Sequence, residues 1–200
     1  MNDGVKTGLI LTGITAAALG VGIGLNKLPD DKDGAISSSS TPDSLQGLIG
    51  KPAADFSLKN VSGQPMTLSG LKGKNVILFF NEGIGCYPAC WNQIAALKPS
   101  AELEKRDTIA LSIVPDSSDS WRQATKKMPE LAAATILLDT DKSVSAQYGM
   151  LTVPSSMHRG SLPGHSYVIV DKDGIVRYTR DDARMGVINS ELLAEIDKLQ

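Results

Sequence analysis

Apolar residues are not spread evenly along this chain; they gather in short, uninterrupted runs separated by mixed stretches. VILFF (76–80), TIALSIV (108–114), TILLD (135–139) and SYVIVD (166–171) are such runs. A run that is apolar at nearly every position has no polar face to give to water, as expected of a strand covered on both sides of a sheet. Helical stretches are predicted near 88–106, 118–128 and 143–148, with a final helix near 189–199. Strands alternating with helices predict an α/β fold, a central mixed β-sheet flanked by helices on both faces. A weaker pair, 55–58 and 65–68 around Ser62-Gly63-Gln64, reads as an N-terminal hairpin extension. Asp171-Lys172-Asp173-Gly174 reads as the turn of an antiparallel edge hairpin joining SYVIVD to IVRYT. No internal repeat is visible.

The first residues follow another pattern. Thr7 to Asn26 is a stretch of 20 residues without a charge, bracketed by Lys6 and Lys27. As a helix it would span roughly 30 Å, about the hydrocarbon thickness of a bilayer. Residues 1–28 are therefore expected to form an N-terminal membrane anchor, with a transmembrane helix at about 7–26. A cleaved signal peptide is the alternative, but Asp3 offsets Lys6 and no small-x-small cleavage site precedes the polar stretch. With no cysteine there, a lipoprotein anchor is excluded. Flanking charges lean towards a single-pass protein with its domain on the extracytoplasmic side. Gly20 and Gly24 have the small-xxx-small spacing that lets two such helices pack. Residues 29–45, rich in Pro, Asp and Ser, read as a flexible linker. Asp31, Asp33 and Gly34 suggest a calcium loop only superficially, because Pro29 holds the first ligand position and no Glu closes it. Residues 46–200 remain as one domain.

Composition narrows the function. A net charge of −2 and 4% aromatic residues offer neither the basic surface nor the stacking platforms of a nucleic-acid binder. Two cysteines exclude a disulfide-dense scaffold and a four-cysteine metal site. Both lie in one segment, Asn81-Glu82-Gly83-Ile84-Gly85-Cys86-Tyr87-Pro88-Ala89-Cys90-Trp91, which follows the strand VILFF. Gly83 and Gly85 allow a tight turn, and Pro88 suits the first position of a helix. Cys86 then sits just before a helix N-terminus, where free N–H groups and the helix dipole favour a thiolate. Cys90, one helical turn on, shares its face and can close a disulfide with it. A structural bridge gains by closing a long loop, and this one would close almost none, so redox work or metal binding explains the pair better. Glu82, at the strand end, is a candidate proton shuttle. Tyr87 and Trp91 read as packing residues beside the site, and Arg159, Arg177 and Arg180 as anion stabilisers without a place. His158 has no support for a role.

The arrangement of VILFFNEGIGCYPACWNQIAAL, SYVIVDKDGIVR and the opening KPAADFSLKNVSGQPMTLSGLKGKNVILFF resembles the thioredoxin-like superfamily, in particular its AhpC/TSA or redoxin branch of the membrane-anchored bacterial type. The resemblance covers about residues 50 to 198 and implies a thioredoxin-like fold. It also singles out the position nine residues before Gly174, where such proteins place a group facing the nucleophilic cysteine; here it is His165. His165 is thereby implied as the partner of Cys86, holding a thiolate as imidazolium, acting as acid and base, or ligating a metal. The chain departs from the family's patterns: thioredoxin-type reductases carry W-C-x-x-C, whereas here three residues separate the cysteines and Trp91 follows the second. Peroxiredoxins carry P-x-x-x-[TS]-x-x-C around the peroxidatic cysteine, whereas the positions before Cys86 hold Phe79 and Gly83.

Three functions follow. The first is a membrane-tethered thiol–disulfide oxidoreductase: Cys86 attacks a protein or small-molecule disulfide, Cys90 resolves the mixed disulfide, and His165 and Glu82 manage protons. The second is peroxiredoxin-like reduction of a hydroperoxide through a sulfenic acid on Cys86. The third is copper binding of the kind Sco-type chaperones perform, with Cys86, Cys90 and His165 as the donor set. Either enzyme needs a thiol electron donor, and no cofactor or nucleic-acid partner is expected.

Overall fold

The computed structural model describes residues 44–200. The expected anchor and nearly all of the expected linker lie outside them. Among the described residues no helix is long and apolar enough to cross a membrane. Leu45, assigned to the linker, is buried in the core within a 3-10 turn, Leu45–Leu48. Its apolar side chain gains more from burial than a tether position would give it.

Seven strands form one mixed sheet. They are β1 (Ser57–Asn60), β2 (Pro65–Thr67), β3 (Asn75–Phe80), β4 (Thr108–Val114), β5 (Ile136–Leu138), β6 (Ser166–Val170) and β7 (Val176–Asp181). Their spatial order is β2-β1-β5-β4-β3-β6-β7. β3, β4 and β5 are parallel; β1–β2, β1–β5, β3–β6 and β6–β7 are antiparallel. The helices are α1 (Ala89–Ala96), α2 (Ala101–Glu104), α3 (Ser118–Lys127), α4 (Ser143–Gln147) and α5 (Asn189–Asp197).

β3 is buried at every position, as its unbroken apolar run requires. Val76, Leu78 and Phe80 face one core, with Leu111, Ile113 and Val168, and meet Phe56, Tyr148 and Met150. Ile77 and Phe79 face the other, with Tyr167 and Ile169, and meet Trp91 and Ile94 of α1, Trp121 of α3, and Leu192 and Ile196 of α5. Burying each of these large side chains contributes about 1.5–3 kcal/mol, which is why both faces of the strand are covered.

The single helix expected near 88–106 is two. Pro99 lacks a backbone N–H and keeps the residue before it out of the helical region. The chain restarts at Ser100, whose Oγ accepts from the Leu103 N–H at 3.4 Å. The outer edge of β7 is strapped where it begins: Gly50 N–H donates to the Val176 carbonyl at 2.8 Å, and Val176 N–H to that of Lys51 at 2.9 Å.

Register places the site. Phe80 pairs with Ile113 of β4 and with Ser166 of β6, and Ser166 pairs in turn with Asp181 of β7. The segments after β3, β4 and β7 and the one before β6 therefore meet at one end of the sheet.

Candidate active site

At that end, Asn81 turns the chain. Its Oδ1 accepts from Gly83 N–H at 2.9 Å, and a 3-10 turn, Gly83–Gly85, leads to Cys86. Gly83 adopts φ +66°, and a Cβ there would overlap Asp116 Oδ2 and lie 2.8 Å from its Cγ. Asp116 Oδ2 accepts from the Ile84 N–H at 3.0 Å, so β4's exit loop braces the turn that carries Cys86. Burial holds the Asp116 carboxyl above the usual range. Pro88, expected at the first helical position, is instead the N-cap of α1, because its carbonyl accepts from Asn92 N–H at 2.9 Å. Cys86 is thus held one turn ahead of Cys90, whose N–H donates to the Cys86 carbonyl at 2.9 Å. The two Cα atoms are 5.3 Å apart and the sulfurs are joined in a disulfide. Both residues are buried, with 4% and 1% of their surface exposed.

His165 enters this site, but not as expected. Its Nδ1 lies 3.4 Å from the sulfur of Cys90, not of Cys86. Cys90 is the one presented because α1 runs back over β3, on the face where Phe79 holds the ring: the Phe79 and His165 centroids are 4.7 Å apart, edge to face. Nor is His165 an imidazolium near neutral pH, since burial pushes its pKa down to about 4. Asp182, the Gly186 backbone and Asp181 oppose the shift without cancelling it. Nε2 sits 2.8 Å from the hydroxyl of Tyr167, which is itself stacked on Phe79 at 4.7 Å. Burial raises the Tyr167 phenol far above its ordinary value, so it remains protonated.

Glu82, expected as a half-buried proton shuttle, is fully buried and engaged elsewhere. Its Oε1 accepts from the Met157 and His158 N–H groups at 2.6 and 3.1 Å, and its Oε2 lies 2.8 Å from His158 Nδ1. It clamps the 156–158 segment to the end of β3. A buried carboxylate needs such donors, and these lie closest. Asp181 binds the other part of that loop, accepting from the Ser155 N–H at 3.1 Å and from the hydroxyls of Ser155 and Ser166. Asp182 closes the next turn, accepting from Arg184 and Gly186 N–H at 3.3 and 3.0 Å.

Residues 49–179, which include both cysteines and His165, match the AhpC/TSA family profile. The chain belongs to the AhpC/TSA family. Among curated proteins it is similar to the chloroplastic peroxiredoxin Q of Sedum lineare, 33% identical over 113 residues, 56% of this chain and 57% of that one. It is 32% identical to the chloroplastic peroxiredoxin Q of Triticum aestivum over 114 residues, 56% of this chain and 49% of that one. The chain thus spans about half the length of the curated relatives it matches. Among solved structures, the reduced 2-Cys peroxiredoxin of Plasmodium vivax superposes with a TM-score of 0.62 at 27% identity, over 75% of this chain and 80% of that one. Mycobacterium tuberculosis AhpC, at 22% identity and a TM-score of 0.64 over 76% of this chain and 92% of that one, shares the fold.

Within this AhpC/TSA domain the three arginines expected as anion stabilisers are paired with other groups. Arg177 Nε binds Asp171 at 2.5 Å, Arg180 pairs with Glu191 at 3.3 Å, and Arg159 donates to the Pro154 carbonyl at 3.4 Å. Phe79 and Gly83 serve packing and the turn, and neither brings a hydroxyl to the sulfurs. The two sulfurs and a ring nitrogen of His165 lie within 4.8 Å of one another, so reduction of the disulfide would set two thiolates beside an imidazole, the donor set expected of a copper site. Sequence reasoning missed Tyr167, His158, Asp116, Asp181 and Asp182. Tyr167 alone carried a signal: two residues from His165 on an extended segment, it points to the same face.

Proposed function

We propose that this AhpC/TSA chain is a thiol peroxidase that resolves its own oxidised cysteine within the chain. The observation that carries the reading is the Cys86–Cys90 disulfide, one turn long, at the entrance of α1 in a domain of this family. Similarity to proteins named peroxiredoxin supports it. The Cys86 thiolate attacks the terminal oxygen of a hydroperoxide, the O–O bond breaks, and the alcohol or water leaves with one proton. The Cys90 sulfur then displaces hydroxide from the Cys86 sulfenic acid, and the disulfide forms with release of water. A dithiol donor returns the pair to two thiols, as the chemistry requires.

A second reading, disulfide exchange by the same pair, is favoured because, among the described residues, no hydroxyl or guanidinium donor is bonded at the sulfurs. Stopped-flow mixing of the reduced protein with hydrogen peroxide separates the two. The peroxidase consumes peroxide rapidly and Cys86→Ser abolishes consumption; unchanged thiols after minutes would leave only exchange. The proposal includes a membrane tether through residues 7–26 with the domain on the extracytoplasmic side, supported by that uncharged stretch. Release of the full chain from membranes by alkaline washing would exclude the tether.

A further inference from the structure

The ring of His165 touches the site through one nitrogen and the protein interior through the other. Nδ1 faces Cys90 Sγ at 3.4 Å and Nε2 faces Tyr167 Oη at 2.8 Å. All three residues are at most 1% exposed, so water does not compete for either nitrogen. Phe79 packs both rings, the imidazole edge-on and the phenol in a stack, so neither turns freely. A neutral imidazole carries one hydrogen, and the partner of one nitrogen decides the state of the other.

We infer that Tyr167 is a positioning residue: its hydroxyl accepts from His165 Nε2–H and so keeps Nδ1 bare towards Cys90, ready to take the Cys90 proton as the disulfide closes. In the disulfide Cys90 has no proton to give; after reduction its thiol becomes a donor 3.4 Å from Nδ1, which this tautomer leaves free to accept. If the Tyr167 hydroxyl donated instead, Nδ1 would carry the hydrogen and could not accept from the thiol.

The step balances, and it rests on the proposed peroxidase chemistry. The Cys90 sulfur bonds to the Cys86 sulfur, the S–O bond of the sulfenic acid breaks, and Nδ1 carries the Cys90 proton to the departing hydroxide. A ring nitrogen of His165 lies within 4.8 Å of both sulfurs, close enough for that transfer within one site. The charged and titratable groups around the ring are Asp181 and Asp182 from the end of β7, Cys86 and Cys90 from the loop and α1, and Tyr167 from β6. Tyr178, Arg180 and Glu191 surround the phenol. The two aspartates favour the ring while it is transiently positive, and Nε2–H keeps its acceptor throughout.

Glutathione disulfide tests this without peroxide. It first charges Cys86 as a mixed disulfide; Cys90 then displaces glutathione, with its proton passing through Nδ1 to the leaving thiolate. In full-length Tyr167→Phe the first step keeps its rate and the second slows roughly tenfold, the loss of one buried hydrogen bond. Nitrogen chemical shifts of His165 in the reduced wild type report the Nε2–H tautomer, and in the variant a mixture. An unchanged second step overturns the assignment. If the variant does not fold, an Nδ1–H tautomer in the reduced wild type overturns it equally. A wild type that ignores peroxide but shows both glutathione steps would sink the peroxidase reading and leave the role of Tyr167 standing.

Discussion

Gly83→Ala tests how the cysteine loop is built. Residue 83 sits at φ +66°, and an added Cβ overlaps Asp116 Oδ2. Holding a residue with a Cβ in the left-handed region costs about 1–2 kcal/mol. The carboxylate must also move, weakening its bond from Ile84 N–H, now 3.0 Å, at a cost of about 1 kcal/mol. Together the substitution destabilises the domain by about 2–3 kcal/mol. At about 2–4 °C per kcal/mol for a domain of this size, the thermal midpoint falls by roughly 5–10 °C. Differential scanning calorimetry of oxidised and reduced protein measures it. Asp116→Ala removes the clash but not the backbone cost, so the double variant is more stable than the two single losses predict, by about 1 kcal/mol. Strict additivity, or a midpoint within about 2 °C of wild type for Gly83→Ala, would refute this account of the turn.

Two further outcomes follow from the site. His165 takes up a proton near pH 6.5 when unfolded but only near about 4 when folded, so the unfolded state binds more protons between those values. Stability is fully present above pH 6.5 and falls as the pH drops towards 4, by an amount on the order of 3 kcal/mol, partly offset by Asp116, whose raised pKa works in the opposite sense. Urea midpoints of wild type and His165→Asn should converge as the pH falls from 7 to 4.5, and parallel curves would contradict the assignment. Glu82→Gln removes the negative charge that gathers the Met157 and His158 N–H groups. Their hydrogen exchange should rise by more than about tenfold, the value of a charge-assisted bond, while amides in β3 stay protected. Uniform exchange across both would mean that Glu82 does not act as the clamp.

How much of this was legible in the sequence depended on whether the signal was local. The four apolar runs became strands within about one residue of their expected ends, because burial on both faces leaves no alternative partner for them. The N-terminal hairpin formed two residues later than expected on its first strand, since pairing of Lys59 and Asn60 with β5 sets its register. Cys86 and Cys90 announced themselves by spacing, flanking glycines and Pro88. His165 needed the family resemblance to be found at all, and its contact with Cys90 needed the structure. Glu82 and His158 lie far apart in sequence and meet through a long loop without hydrophobic periodicity, so no pattern linked them. Asp181 and Asp182 belong to no sequence pattern, and their roles arise only from two loops folding back.

Those two aspartates tie more together than their neighbours in sequence suggest. Asp181 fastens the 155 segment, and Asp182, one residue on, fastens the 184–186 turn. Successive residues of a strand end point to opposite sides, so a single stretch of backbone anchors two loops. The backbone that seats one loop therefore also seats the other. The pairing of Asp181 with Ser166 on β6 holds the strand end from which both fastenings are made.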